Sequence, residues 1–196
     1  DAIFDAFRRK ETFATTGPRM KVRFFGGFGY TADTLNAPDL AKQAYAGGVA
    51  MGGDIVGNGA TPSFIAWAIR DANAAPLQRV QVVKVTSSGE AVYDAACSGG
   101  ATPDANHRCP DNGASVDIAT CTTTDGSGAG ELKALWTDPD FVPGQRATYY
   151  VRVLENPTCR WSTWEANRNG TPPNPDLPTT IQERAYTSPI WYIPPA

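Results

Sequence analysis

Apolar and polar residues alternate along much of the chain after residue 62, and this period of two predicts β-strands. In "ELKALW" (131–136), Leu132, Ala134 and Trp136 occupy every second position. Further runs rich in β-branched and aromatic residues lie at 63–71, 77–85, 90–95, 115–121, 146–155 and 188–193. Roughly seven strands separated by turns predict a mainly β fold, namely an antiparallel, Ig-like β-sandwich.

The first ten residues have a helical pattern instead. Ile3 and Phe7 are four positions apart, Phe4 lies beside them, and the cations Arg8 to Lys10 follow. Because cations are favoured at a helix C-terminus, this pattern predicts a short amphipathic helix. Its apolar side chains need a surface to cover.

The segments between the predicted strands give weaker signals. Residues 11–25 predict two extended segments joined by a break at Gly17-Pro18, and 49–62 is too rich in glycine for either regular element. Asn36, as an N-cap before Pro38, predicts a short helix in 36–48. A proline-rich excursion occupies 156–185, where the pair Thr180 and Glu183 resembles a capping box and predicts one or two turns of helix. We therefore expect one or two short helices in loops.

Composition narrows the class of protein. The chain has 196 residues, of which 41% are hydrophobic and 19% are charged, so it can bury the core of one principal domain. The net charge of −3, with scattered basic residues, argues against a nucleic-acid partner. No apolar run approaches the roughly 20 residues that a membrane span needs. The opening "DAIFDAFRRK", without Met, suggests a mature product or a fragment.

Four cysteines form an even set without a C-x-x-C pair, which favours two disulfides and a periplasmic or extracellular location. A zinc site built from these cysteines and His107 is the alternative, but the spacings match no finger or ribbon. Cys97 and Cys109 bound a polar, turn-rich loop and form the natural local bridge, which leaves Cys121 to pair with Cys159.

The chain alone shows no complete catalytic site. His107 is the single histidine, and its place near Cys109 in a predicted disulfide loop favours a surface role over that of a catalytic base. No H-x-H or H-x-x-x-H pair is present to hold a metal, so we expect none bound by this chain. Residues 123–131 resemble a calcium loop only weakly and favour a hairpin connection. Asp54, beside two glycines, is either a site residue or, more simply, a turn residue.

Two tryptophans raise the prospect of carbohydrate binding. Trp161 and Trp164 follow Cys159 in "ENPTCRWSTW" and are three positions apart, so one helical turn places them on one side. Exposed indoles can stack on sugars, whereas indoles packed beneath the excursion would be structural. Trp136 and Trp191 lie in alternating runs and are expected in the core.

Longer blocks of the sequence carry a resemblance to a known family. "ATTGPRMKVRFFGG", "GAGELKALWTDPDF", "RATYYVRVLENPTCRWSTW" and "IQERAYTSPIWY" resemble the C-terminal half of a large, secreted, mostly bacterial family of unknown function. Longer members resemble, in their N-terminal part, PHP-type metal-dependent phosphoesterases. The resemblance implies that residues 1–24 are the last helix and strand of an absent PHP-like domain, and that 25–196 form a β-sandwich domain with the excursion at 156–185.

The same resemblance implies a function for the parent protein. The β-rich portion would support or complete a hydrolase site whose divalent metal ions are held by the absent N-terminal segment. That segment of the same protein would be the partner of this chain. Arg19, after "TTGP", and Arg160 would contact a small anionic substrate. The alternative is a non-catalytic carbohydrate-binding or structural β-sandwich module.

Overall fold

The computed structural model describes residues 1–195 and consists mainly of short β-strands. Its four helices are α1 (Ala2–Arg8), α2 (Ala32–Asn36), α3 (Leu40–Gly47) and α4 (Trp161–Asn169). The strands are β1 (Phe13–Thr15), β2 (Lys21–Gly27), β3 (Gly48–Ala50), β4 (Asp54–Val56), β5 (Ser63–Ile69), β6 (Leu77–Thr86), β7 (Gly89–Cys97), β8 (Ser115–Asp117), β9 (Thr122–Thr124), β10 (Glu131–Thr137), β11 (Ala147–Glu155), β12 (Thr158–Cys159), β13 (Thr180–Ile181), β14 (Arg184–Thr187) and β15 (Ile190–Ile193). The predicted mainly β class is confirmed.

The first large sheet is built around β11. Strand β6 pairs antiparallel with one edge of β11, and β7 pairs antiparallel with β6. The opposite edge of β11 is shared, because β15 pairs with its first half and β14 with its second half. Beyond them, β1 pairs antiparallel with β14, and β4 pairs in parallel with β15. Both ends of this shared edge are thus extended by a short outer strand.

The second large sheet has the order β10, β5, β2, β3, with antiparallel pairing throughout. Strand β5 lies at its centre and pairs over its full length with both β10 and β2. Two small ladders, β8 with β9 and β12 with β13, lie outside the large sheets.

The main core lies between the two large sheets, as a sandwich requires. Phe24 and Phe64 of the second sheet are fully buried against Tyr149 and Val151 of the first, and the rings of Phe64 and Tyr149 are 4.6 Å apart. Every second residue of β11 is buried, so the alternation read from the sequence marks the face that packs on the core.

A second hydrophobic cluster covers part of the outer face of the second sheet. There Phe25 and Ile65 pack against Leu40, Ala44 and Tyr30 from the α2–α3 region. Because the sheet is buried on both faces at this end, β5 reads as a nearly continuous apolar run rather than an alternating one.

The short helix predicted in 36–48 is present as α3, but its N-cap is Asp39 rather than Asn36, and an additional helix, α2, ends at Asn36. The interpretation of 49–62 as a segment without regular elements is wrong, because β3 and β4 add to sheet edges there. At Gly48 a side chain would lie 2.2 Å from the Gly26 carbonyl oxygen, so glycine permits this pairing.

The predicted helix after Thr180 is absent, since β13 and β14 occupy 180–187. Thr180 pairs with Cys159, and the Glu183 carboxylate accepts a hydrogen bond from the Thr16 hydroxyl instead of capping a helix. The excursion nevertheless contains α4, so three short helices lie in connections where one or two were expected.

Both predicted disulfides are formed, Cys97–Cys109 and Cys121–Cys159, and they use all four cysteines. The zinc alternative is therefore wrong. Among residues 1–195, no helix is both long and apolar enough to cross a membrane.

Candidate functional site

A cleft of about 620 Å³ lies where the two sheets meet at an open edge of the sandwich. The end of α1 and strand β1 lie on one side, and β2 lies on the other. Its lining residues are Ala6, Arg9, Glu11, Phe13, Lys21, Val22, Arg23, Phe24, Phe25, Tyr45, Ala50 and Met51. We call it the cationic cleft, after Arg9, Lys21 and Arg23.

The register of β2 explains why this edge is open. Strand β2 pairs with β5 from Lys21 to Gly27, but it pairs with β3 only from Phe25 to Gly27. The first half of β2 therefore faces the cleft. Its alternation directs Val22 into the core and leaves Lys21 and Arg23 exposed at the rim.

The rim is held by contacts to Glu11. The Nε and Nη2 atoms of Arg9 each donate to Oε2 of Glu11 at 3.2 Å, and the Tyr45 hydroxyl donates to Oε1 of the same carboxylate. The Tyr45 ring packs edge-on against buried Phe25 with the ring centroids 4.9 Å apart. These contacts fix α1 against α3 across the cleft.

The charges of the rim favour an anion. Arg9 and Glu11 balance one another, which leaves Lys21 and Arg23 as an excess of positive charge. Burial raises the pKa of the Tyr45 hydroxyl, and the hydrogen bond to and the charge of Glu11 raise it further, while Arg23 opposes the change. Tyr45 thus stays protonated at neutral pH, and its one O–H hydrogen is used in the bond to Glu11.

The lining of this cleft provides groups that can bind an anion. Among residues 1–195, no three His, Cys, Asp or Glu side chains are grouped so that they could hold a metal ion. The lining also has no histidine or cysteine. The two cations Lys21 and Arg23 suit the recognition of phosphate-like or carboxylate oxygens.

A second polar cluster, buried inside the sandwich, has a structural role. Lys84 and Asp138 form an ion pair at 2.6 Å, and the Tyr149 hydroxyl donates to Asp138 at 2.7 Å. Lys84 also donates to the Asp140 carbonyl at 2.7 Å, and Tyr93 donates to the Asp140 carboxylate. Because these groups satisfy one another, none of them is left to act on a ligand.

None of the five residues proposed from sequence lines the cationic cleft. Arg19 is exposed in the connection between β1 and β2, and its backbone N–H donates to Asp71 at 2.8 Å. Asp54 is exposed in β4, opposite Trp191 in the parallel pair, so it occupies a strand rather than a turn. His107 packs edge-on against Tyr93, with ring centroids 5.1 Å apart.

Arg160, Trp161 and Trp164 lie together at the start of α4, directly after the Cys121–Cys159 bridge. Arg160 is the N-cap residue, and its Nε is buried without a hydrogen-bond partner within residues 1–195. Trp161 and Trp164 are 67% and 44% exposed, so the indoles are not packed beneath the excursion. Only Trp161 lines a neighbouring cleft, of about 300 Å³.

Sequence reasoning missed Arg9, Lys21, Arg23 and Tyr45 as site residues. The alternation of Lys21 and Arg23 with core residues is visible in the sequence, but it is typical of any strand with one solvent face. What makes these cations a site is the point at which β3 stops pairing with β2, and that register has no local signal.

Comparison with known proteins gives one match. The profile of a family described as "Protein of unknown function (DUF3604)" matches residues 1–194. Neither curated proteins nor solved structures give a significant match.

Proposed function

Since the chain belongs to the DUF3604 family of proteins of unknown function, we propose that it is the β-rich portion of a longer secreted hydrolase resembling the PHP-type phosphoesterases. In this proposal the chain supplies a cationic wall that binds an anionic substrate. The metal ions that assist cleavage belong to an upstream portion of the protein.

The observation that carries the proposal is the excess of positive charge in the cationic cleft. Lys21 and Arg23 lie on consecutive outward positions of one strand and provide several N–H donors on one side of the cleft. A phosphoester presents several oxygens at once, and such a set of donors is suited to it. Within residues 1–195 no three His, Cys, Asp or Glu side chains are grouped to hold a metal ion, and the proposal therefore assigns the metal ions to the upstream portion.

The apolar face of α1 supports a neighbouring unit. Ile3, Phe4 and Phe7 are 75%, 63% and 67% exposed, whereas an amphipathic helix of a folded protein ordinarily covers its apolar stripe. We assign the PHP-like unit to this face. Residues 1–24 then join the two units: α1 packs on the PHP-like unit, and β2 pairs with β5 in the sandwich.

The two disulfides support the proposed periplasmic or extracellular location, because such bridges persist in oxidising compartments. Intact mass measurement of the native protein, together with metal analysis of the same sample, tests the proposed architecture. A single species of about the mass of this chain, without metal, would contradict it.

Hydrolysis of a panel of phosphoesters by the longer protein tests the role of the cleft. Arg23→Ala should lower kcat/KM about tenfold or more, since a hydrogen bond to a charged group contributes roughly 1.5–3 kcal/mol. Arg146→Ala is the matched control, because Arg146 is exposed and lies outside the cleft. Equal kcat/KM values for the two variants would overturn the assignment of the cleft.

A further inference from the structure

The cleft beside α4 is a second site, remote in sequence from the cationic cleft and different in chemistry. It is lined by one face of α4 and by the proline-rich loop that follows; the lining residues are Trp161, Ser162, Glu165, Ala166, Asn169, Thr171, Pro172, Asn174 and Leu177. We call it the α4 cleft, and we infer that it binds a neutral saccharide.

Of the two tryptophans of α4, only Trp161 lines the cleft. At about 100° per residue, Trp161, Glu165 and Asn169 share one face of the helix, and Trp164 lies about 60° from Trp161 on the side away from Glu165. Thr163 and Ala166 are buried. Trp161 therefore provides the aromatic surface of the cleft.

The polar groups around Trp161 are available to a ligand. Within residues 1–195, the side chains of Ser162, Glu165 and Asn169 make no hydrogen bond, while Asn174 uses only its Oδ1, which accepts from the Asp176 N–H at 2.9 Å. An exposed indole beside free amide, hydroxyl and carboxylate groups matches a sugar ring, which has an apolar face and a rim of hydroxyls.

Charge and size narrow the ligand further. Glu165 is the one ionisable residue of the lining, so the cleft disfavours anionic sugars and phosphoesters. A volume of about 300 Å³ is at the lower end for ligand sites, which suits one sugar residue, such as the end of a longer glycan.

The framework of the α4 cleft is rigid, and this favours binding. The Cys121–Cys159 bridge lies two residues before α4, Asn167 donates to the Ile118 carbonyl at 2.8 Å, and Thr163 donates to the Thr179 carbonyl at 2.7 Å. Gly170, in the left-handed conformation, ends the helix and turns the chain along the cleft. Because these elements are already ordered, binding of a ligand costs little conformational entropy.

A glycan array probed with the 196-residue chain, followed by calorimetry on any neutral glycan that binds, tests this inference. We expect Trp161→Ala to weaken binding at least about tenfold, and Asn169→Ala to weaken it as well. Trp164→Ala is the matched control and should stay within about twofold of wild type, because its indole lies outside the cleft.

The result that would overturn the inference is a folded wild-type chain that binds no neutral glycan, or binding that Trp161→Ala and Asn169→Ala leave unchanged. Circular dichroism confirms folding, and both side chains are exposed, so loss of fold is not expected. Phosphoester turnover by the longer protein should be the same in Trp161→Ala and wild type. The outcome is therefore independent of the proposed hydrolase.

Discussion

The cationic cleft and the α4 cleft are held in shape by different forces. The first rests on β2, whose ladder with β5 is continuous from Lys21 to Gly27. The second rests on a helix and a proline-rich loop beside the two-residue pairing of β12 with β13. A hydrogen-bonded sheet holds the cationic cleft in shape, and a covalent bridge holds the α4 cleft. A substitution that removes one of these supports should therefore impair one cleft and leave the other intact.

Removing the Cys121–Cys159 bridge should have the largest effect. In the chain-entropy account, Cys121→Ser/Cys159→Ser lowers the free energy of unfolding by about 4 kcal/mol, because the bridge spans 38 residues. Cys97→Ser/Cys109→Ser, which opens a separation of 12, is the control and should cost about 3 kcal/mol. Urea unfolding measures both.

The same variant tests the comparison. Saccharide binding at the α4 cleft should be lost when that bridge is removed, whereas turnover by the longer protein at the cationic cleft should persist below the unfolding transition. Loss of both functions in equal measure would contradict the independence of the two clefts.

Glu155, the last residue of β11, should make stability depend on pH. Its side chain is 1% exposed, Oε1 has no hydrogen-bond partner within residues 1–195, and its N–H donates to the Glu183 carbonyl at 3.0 Å. The pKa of its carboxyl is raised from 4.5 to about 7, mainly by burial and further by the negative charges of Glu183 and Asp71. Arg70 opposes this change.

The sign follows from proton binding. Between pH 4.5 and about 7 the folded state keeps a proton that the unfolded state loses, so the contribution of Glu155 to stability falls as pH rises. Glu155→Gln should therefore stabilise by up to roughly 3 kcal/mol at pH 8 and by little at pH 4. Glu165→Gln, on exposed α4, is the control. Equal pH profiles of unfolding for the two variants would refute this assignment.

Arg19 and Arg23 should differ in their effect on turnover by about tenfold. Arg23 lines the cationic cleft, while Arg19 lies in the adjoining connection outside the lining. The kcat/KM of Arg19→Ala in the longer protein decides between two boundaries for the site. A loss as large as that of Arg23→Ala would extend the site to the β1–β2 connection.

The smallest effect is expected from Phe7→Ser in this chain alone. Because Phe7 is 67% exposed, the free energy of unfolding should change by no more than about 0.5 kcal/mol. In the longer protein the same change should destabilise by roughly 1–3 kcal/mol, since the phenyl ring is then buried. Val142→Ser, an exposed apolar residue elsewhere, should be neutral in both. If Phe7→Ser left the free energy of unfolding unchanged in both proteins, the assignment of the PHP-like unit to the α1 face would be wrong.

The parts of the fold that could be predicted from sequence are those with a local physical cause. The alternation in β10 and β11 is produced by one buried face, and the polar loop between Cys97 and Cys109 brings its ends together. The helix predicted after Thr180 fails because the strand partner of Thr180 is Cys159, some twenty positions away. The local helix signal at Thr180 is therefore overridden by the pairing of β13 with β12, which contains the disulfide-bonded Cys159.

The candidate sites show the same division. Trp161 and Trp164 could be selected as candidates from sequence, because they lie three positions apart outside any predicted strand. Lys21 and Arg23 could not, since their selection depends on β3 ending opposite Phe25. That Trp161 lines the α4 cleft and Trp164 does not likewise depends on which face of α4 packs on Ile118 and Thr179.

The Cys121–Cys159 ring has a mechanical consequence. It encloses β10 from one large sheet and β11 from the other, so each sheet contributes a strand to a single covalent loop. A force that pulls the two chain ends apart would travel through the sulfur atoms and bypass these strands. Of the extension available to an unbridged chain, roughly 130 Å would stay locked inside the ring.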